Sequence, residues 1–255
     1  MKVLVIFLII TNFFFLQAET TLVSEQNSAI EVFDDSFEDE FDSPEEKPIF
    51  DPLSGYNSLM TGFNDKFYTN LLIPTAKGYR NIVPEGGRKS VSNFFDNLLF
   101  PVRFVNNVLQ LKLKNAGEEV ARFGINSTIG LLGLFDVAKS EFNLKPHEED
   151  FGQTLGHYGV GSGFHVVLPF LGPSNVRDAI SLFVDSTVDP IYEYDSRFYN
   201  ITKKEYESLA LKSYDILNDR SLHIGEYASL KKDALVLYPF LRDLYEQRRA
   251  KLIKE

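Results

Sequence analysis

The stretch Leu155–Ser174, LGHYGVGSGFHVVLPFLGPS, constrains this chain most. It sets five glycines and two prolines among large apolar side chains. Glycine opens the left-handed backbone region and close approach, while proline fixes φ and removes a donor. The segment is therefore a poor helix. It is also too apolar for an ordinary loop, because loops that run through water are normally polar. It must be covered by protein or face something apolar.

The chain opens on MKVLVIFLIITNFFFLQA, one lysine followed by an apolar run that closes at Leu16-Gln17-Ala18. That is the layout of a secretory signal peptide, and it is short for a membrane span of about 20 residues. Export is expected, with the mature chain starting near Glu19. There is no cysteine, so disulfides, thiolate metal sites and a thiol nucleophile are excluded. From Glu19 to Lys47 eleven acidic residues stand against one lysine, which accounts for a charge equal to the −10 of the whole chain. Residues 19–47 read as an acidic disordered leader with too little apolar surface to offset its ordering entropy. The remainder is near neutral and lacks the basic face that nucleic-acid binding needs.

From Asp51 onward the pattern is helical and the fold class is all-α. Leu53, Tyr56, Met60, Phe63, Phe67 and Leu71 recur at spacings of three and four. They predict an amphipathic helix capped by Asp51 and ended by Pro74. Its other side carries the uncharged amides of Asn57, Asn64 and Asn70, a weakly charged surface for water. Further helices are expected over Ser90–Phe100, from Pro101 onward, over Glu118–Ile125 and over the nearly all-apolar Thr128–Ala138. After the glycine-rich segment, Ser174 or Asn175 can cap a helix over Val176–Val184. Thr202–Leu217 and Glu226–Lys251 follow, with Pro239 kinking the last or marking its start. Strand character is confined to about Phe164–Leu168.

No motif demands catalysis. Gly159-x-Gly161-x-Gly163 lacks the flanking strand and helix of a dinucleotide loop, and no Gly-Lys-Ser/Thr follows. Ser162 is flanked two residues away by Val160 and Phe164, so no nucleophile elbow forms. His147-Glu148-Glu149-Asp150 has no second histidine at helical spacing and reads as a solvated charge cluster. His157 and His165 read as structural histidines, and Arg177-Asp178 as a capping and pairing unit. No metal, cofactor or catalytic residue is assigned, and the chain is not read as an enzyme.

Several runs resemble the MlaA (VacJ) family. They are Asp51-Pro52-Leu53-Ser54-Gly55-Tyr56-Asn57 with Phe63-Asn64, and Arg122-Phe123-Gly124-Ile125-Asn126-Ser127-Thr128-Ile129-Gly130 leading into Gly133-Leu134-Phe135-Asp136-Val137-Ala138. They continue in Phe151-Gly152-Gln153-Thr154-Leu155-Gly156-His157-Tyr158-Gly159-Val160-Gly161, Leu168-Pro169-Phe170 and the closing Leu241-Arg242-Asp243. The resemblance covers roughly residues 50–250, and a helical domain over 48–252 is expected. It implies a ring of amphipathic, Gly/Pro-broken helices lying in a membrane leaflet around a central channel. The implied activity is intermembrane phospholipid transport: phospholipids mislocalised to the outer leaflet of the outer membrane are removed, and lipid asymmetry is maintained. The implied partners are phospholipid, a trimeric outer-membrane porin and a soluble periplasmic lipid carrier of the Mla type. The implied location is the periplasmic face of the outer membrane. Phe63, Asn64, Leu131, Tyr158, Gly161, Phe164 and Pro169 are the expected lipid-path residues. The family is usually anchored by a lipidated cysteine after the signal peptide, where this chain has Glu19. That departure keeps a soluble periplasmic lipid-binding protein as the alternative.

Overall fold

A computed structural model describes residues 50–192, 201–202 and 204–255; the signal-peptide and leader expectations lie outside them. Helix α1 (Ser54–Phe67) passes through a π-helical turn, Tyr68–Leu72, directly into α2 (Ile73–Ile82). Pro74 therefore does not end the first helix. In the widened turn the N–H of Ile73 donates to the carbonyl of Tyr68, five residues back. That extra residue per turn makes room for the Pro74 ring and absorbs its missing donor. Asp51 is not a side-chain cap either. It accepts from Asn57 Nδ2 at 3.1 Å and from the Tyr238 hydroxyl, so it fastens the start of α1 to a distant part of the chain.

Helix α3 (Glu85–Leu98) starts earlier than expected and takes in Ser90 and Ser92 as interior residues. Pro101 restarts the chain as predicted, at the start of α4 (Phe100–Leu109). Helix α5 (Leu113–Thr128) ends where another helix was expected. Residues 129–136 fold back as turns before the short α6 (Val137–Ser140). Gly133 is left-handed at φ +92°, and a Cβ on Gly130 would sit 2.3 Å from the Phe135 carbonyl oxygen. The apolar composition of 128–138 looked helical, but its two glycines allow a tight reversal that a helix would not need.

Helix α7 (Phe151–His157) opens on a reciprocal capping box between Asp150 and Gln153. The glycine-rich segment then becomes an irregular stretch and an antiparallel hairpin, β1 (His165–Leu168) and β2 (Gly172–Asn175), with His165 opposite Asn175 and Leu168 opposite Gly172. Asn175 caps α8 (Val176–Ser186) by accepting from the Asp178 N–H at 2.9 Å. Helix α9 (Glu205–Leu222) is followed by α10 (Glu226–Asp233) and α11 (Leu237–Lys254). The single helix expected over 226–251 is thus two, and Pro239 lies in the first turn of the second.

The packing pairs close a cycle. Helix α2 lies against α9, α9 against α3, α3 against α4 and α5, α4 against α7, α7 against α11, and α11 against α1, which runs on into α2. Apolar cores are small: Leu168, Leu171, Leu182 and Tyr192 form one, and Leu241 with Leu237, Phe240 and Tyr245 another. Buried polar and charged residues outnumber buried apolar ones among the described residues. Large apolar side chains meanwhile stand exposed on α1, α4, α5, α8 and the 129–136 turns, including Leu59, Leu113, Ile129, Leu132 and Ile180. This reverses the usual partition of a chain folded in water, where charged residues are almost never fully buried unless paired.

Candidate functional site: a charged interior and an asparagine-clasped hairpin

The buried charges are held by pairing. Arg249 of α11 reaches Asp150 through Nη1 at 2.6 Å and Nη2 at 2.8 Å, and Asp178 of α8 through Nε at 2.9 Å. Asp178 also accepts from Arg177 Nε at 2.9 Å and from the Tyr245 hydroxyl at 2.8 Å. Burial alone raises the Asp178 carboxyl, but Arg249 and Arg177 outweigh it and hold the pKa below its ordinary value. Gly152 admits this knot: a Cβ there would lie 2.4 Å from Asp178 Oδ1 and 2.6 Å from Arg249 Nη2. Arg177-Asp178 pairs as expected. The His147–Asp150 run is solvated only in its first half: Glu148 is exposed and His147 half-exposed, whereas Glu149 and Asp150 are buried. Glu149 accepts from Lys112 Nζ at 2.6 Å and Gln110 Nε2 at 2.7 Å. Only His147, 2.6 Å from Glu118, keeps a half-exposed pair.

Other carboxylates lack such compensation. Burial lifts Asp96 of α3 to about 6, against the opposing pull of Arg103, with Asp219 and Asp136 adding to the rise. Glu148 is raised to about 7 by desolvation, then by the field of Asp96. Asp215 of α9 is raised to about 8 by desolvation, against Lys212, and is also pushed by Asp96 and Asp219. Glu148 is nonetheless exposed and Asp96 half-exposed. Asp96, Glu148 and Asp215 come from three parts of the cycle and lie within one another's electrostatic influence through Asp96. Arg103 of α4 and Arg248 of α11 also act on Glu148. Charged groups from five parts of the chain thus lie close enough to bias one another's protonation. No sequence spacing links these residues, so sequence reasoning had no signal for them.

The glycine-rich segment is gripped by α1. Asn57 Nδ2 donates to the His165 carbonyl at 3.0 Å, and Asn57 Oδ1 accepts from the Val167 N–H at 2.8 Å. Two turns on, Asn64 Nδ2 donates to the Leu168 carbonyl at 2.9 Å and Asn64 Oδ1 accepts from the Phe170 N–H at 2.6 Å. The two amides do for the outer edge of β1 what a third strand would do, satisfying backbone groups otherwise left open. Asn57 and Asn64 on the weakly charged side of α1 therefore face protein, while Asn70 is exposed. Phe63 and Phe67 meet the Phe170 ring edge-on at 5.0 and 4.9 Å. Beside them an apolar pocket is walled by Phe67, Tyr68, Leu72, Phe170, Tyr227 and Leu241.

The expected lipid-path residues occupy three places. Phe63, Asn64 and the half-buried Pro169 lie at the α1–hairpin junction. Tyr158, Gly161 and Phe164 lie in the irregular stretch after α7. Tyr158 is exposed and its hydroxyl donates to the Leu109 carbonyl, while a Cβ on Gly161 would meet open space. Leu131 stands exposed, at φ +53°, on the 129–136 turns. His157 is exposed, and His165 is buried with Nδ1 3.2 Å from Glu246.

The family described as MlaA lipoprotein matches residues 49–252. A protein of Rickettsia bellii is 33% identical over 204 residues, spanning 80% of this chain and 76% of that one. The Escherichia coli protein named intermembrane phospholipid transport system lipoprotein MlaA is 39% identical over 133 residues, spanning 50% and 52%. Its Haemophilus influenzae namesake is 28% identical over 200 residues, spanning 77% and 76%. A solved structure reported as the "Structural basis for maintenance of bacterial outer membrane lipid asymmetry" superposes with a TM-score of 0.67 at 30% identity, covering 80% of this chain and 99% of its own. By family, sequence and fold, the chain belongs to the MlaA lipoprotein family.

Proposed function

We propose that this protein removes phospholipids mislocalised to the outer leaflet of the outer membrane and passes them to a soluble periplasmic carrier. In this reading the helical cycle lies in the inner leaflet beside a trimeric porin. Its exposed apolar side chains contact acyl chains, and its charged interior lets a headgroup through. The observation that carries the reading is the inverted partition: ion-paired polar groups inside, large apolar residues outside. Among the described residues no helix is long and apolar enough to cross a membrane. That accords with helices lying in an interface. The irregular stretch and hairpin wall the path, since non-helical backbone at membrane depth must be covered by protein or line a wet cavity. Phe63, Asn64, Pro169, Tyr158, Gly161, Phe164 and Leu131 are the proposed lipid contacts. The family is a lipid-transport component, and passage through the interior needs no covalent step.

The test is a deletion strain complemented with the unmodified gene or with a Glu148→Lys variant. Deletion is expected to load the outer leaflet with phospholipid and raise detergent sensitivity, and only the unmodified gene is expected to restore both. Outer-leaflet phospholipid unchanged by deletion would refute the proposal. A soluble periplasmic lipid binder is the second reading, favoured by the apolar pocket beside Phe170. Recovery in the soluble periplasmic fraction without detergent would select it.

A further inference from the structure

A second cavity, of about 370 Å³, lies away from the hairpin. It is lined by Arg80 of α2, by Glu85, Arg88, Lys89, Ser92 and Asn93 of α3, and by the end of α9 at Ser221, Leu222 and His223. Its size far exceeds the roughly 30 Å³ that one water occupies in the liquid. Arg88 is the informative wall. It is 5% exposed, so its guanidinium is buried. Nε donates to the Val83 carbonyl at 3.2 Å, and Nη1 donates to the carbonyl and the hydroxyl of Ser221. All three acceptors are neutral, and no carboxylate of the described residues lies within ion-pair distance of this charge.

Capping the last turn of α9 explains Nη1, because cations suit helix C-termini. It does not involve Nη2, which has no acceptor among the described residues and is not sealed from solvent, so it is free to bind a ligand in the cavity. A buried charge is normally paired, and guanidinium presents its donors as a fork suited to oxyanions. The surroundings add to the charge. Arg80 is exposed and forms no ion pair among the described residues. Lys89 holds the pocket's one carboxylate, Glu85, at 2.6 Å, and that pair is mostly exposed and contributes little. The side chains of Ser92 and Asn93 add polar groups that a bound oxyanion can use.

We infer that this pocket is a phosphate-binding site, with Arg88 Nη2 and Arg80 as the principal donors to a phosphate group, lipid-borne or free. The inference rests on the pocket and not on the transport reading, so it stands or falls separately. The test uses the purified full chain in a non-ionic detergent. Three probes are titrated by calorimetry: inorganic phosphate, dihexanoyl phosphatidylglycerol, and dihexanoylglycerol, which lacks phosphate. Saturable binding of either phosphate-bearing probe, with none of dihexanoylglycerol, is expected. Binding of both phosphate probes identifies a general oxyanion site, whereas binding of phosphatidylglycerol alone identifies a headgroup site.

Arg80→Glu, at an exposed position, is expected to weaken binding by tenfold or more, about the scale of one charge-assisted hydrogen bond. Arg88→Lys is expected to keep part of the affinity that Arg88→Met loses. Thermal scans of both Arg88 variants confirm which remain folded. Failure of both phosphate probes to bind, equal binding of dihexanoylglycerol, or unchanged affinity in Arg80→Glu would each overturn the inference. Outer-leaflet phospholipid in cells plays no part in these readouts.

Discussion

Arg249 shows what a single residue does in an interior of this kind. Its guanidinium is shared between Asp150 and Asp178, which lie on segments 99 and 71 residues away from it in sequence. Replacing it by methionine leaves buried Asp150 without its cation and Asp178 with Arg177 alone. The expected loss is about 3–5 kcal/mol, read as a fall in the unfolding midpoint. Gly152→Ala should approach the same outcome by steric means, since its Cβ would collide with both partners. Asp215 behaves oppositely. Its folded-state pKa, about 8, lies above the ordinary 3.8, so the native state holds its proton to higher pH than the unfolded chain does. Its charge therefore costs nothing below about pH 4, and the cost grows up to about pH 8 and is constant above. Asp215→Asn is expected to stabilise the protein by a few kcal/mol at pH 9, since each tenfold change in proton affinity is worth about 1.4 kcal/mol, and by much less at pH 5. Equal midpoint shifts at both pH values would refute this. The local half of these arrangements was legible in sequence: Arg177-Asp178 follows the Asn175 cap and reads as a pairing unit. The partners Asp150 and Arg249 were not, because nothing in spacing couples residues so far apart.

At the level of elements, the clearest device is the double clasp of α1 on the hairpin. Asn57 and Asn64 are seven residues apart, two helical turns, and so share a face. That spacing was visible, but without the hairpin in view it read as a dilution of charge. The expected consequence of Asn64→Ala is local. The Phe170 amide should exchange its hydrogen faster and the Phe63–Phe170 contact should loosen, with a stability loss of about 1–3 kcal/mol. Asn57→Ala should cost more, because Asn57 is wholly buried and its amide also holds Asp51 and Tyr238. Hydrogen exchange across residues 165–171 measures both. Helix existence was otherwise well marked by apolar spacing and by the Asn175 cap. It was misjudged where a glycine pair or a π turn changed the outcome, at Thr128–Ala138 and at Pro74. Both depend on how carbonyls are displaced in three dimensions, which apolar periodicity does not report.

For the whole molecule the cycle of packing contacts and the inverted partition belong together. The helices pack through faces rich in buried polar groups and leave large apolar side chains exposed. The turns at 129–136 concentrate that property, with Ile129, Leu131, Leu132, Leu134 and Phe135 all exposed. Replacing Leu131 and Leu132 together with lysine should leave the fold intact, since both side chains are exposed. Partition into phospholipid vesicles, measured by flotation, should fall severalfold, because each large apolar side chain adds about 1.5–3 kcal/mol on full burial. Unchanged flotation of the double variant would refute the assignment of this face to lipid.

The contact between α11 and α1 has a further consequence, for the order in which the molecule is made. Asp51 and Asn57 meet Tyr238 across 187 and 181 residues of chain. Until Tyr238 and Arg249 have been synthesised, the earlier helices exist as an open arc. Asp150 then lacks its cation, and Asp178 has Arg177 alone. Long sequence separation of this kind slows folding, because the entropy of loop closure is lost before the contact rewards it. The chain that lacks its last helix is thus an intermediate with uncompensated buried charge, and it is expected to aggregate more readily than the finished fold.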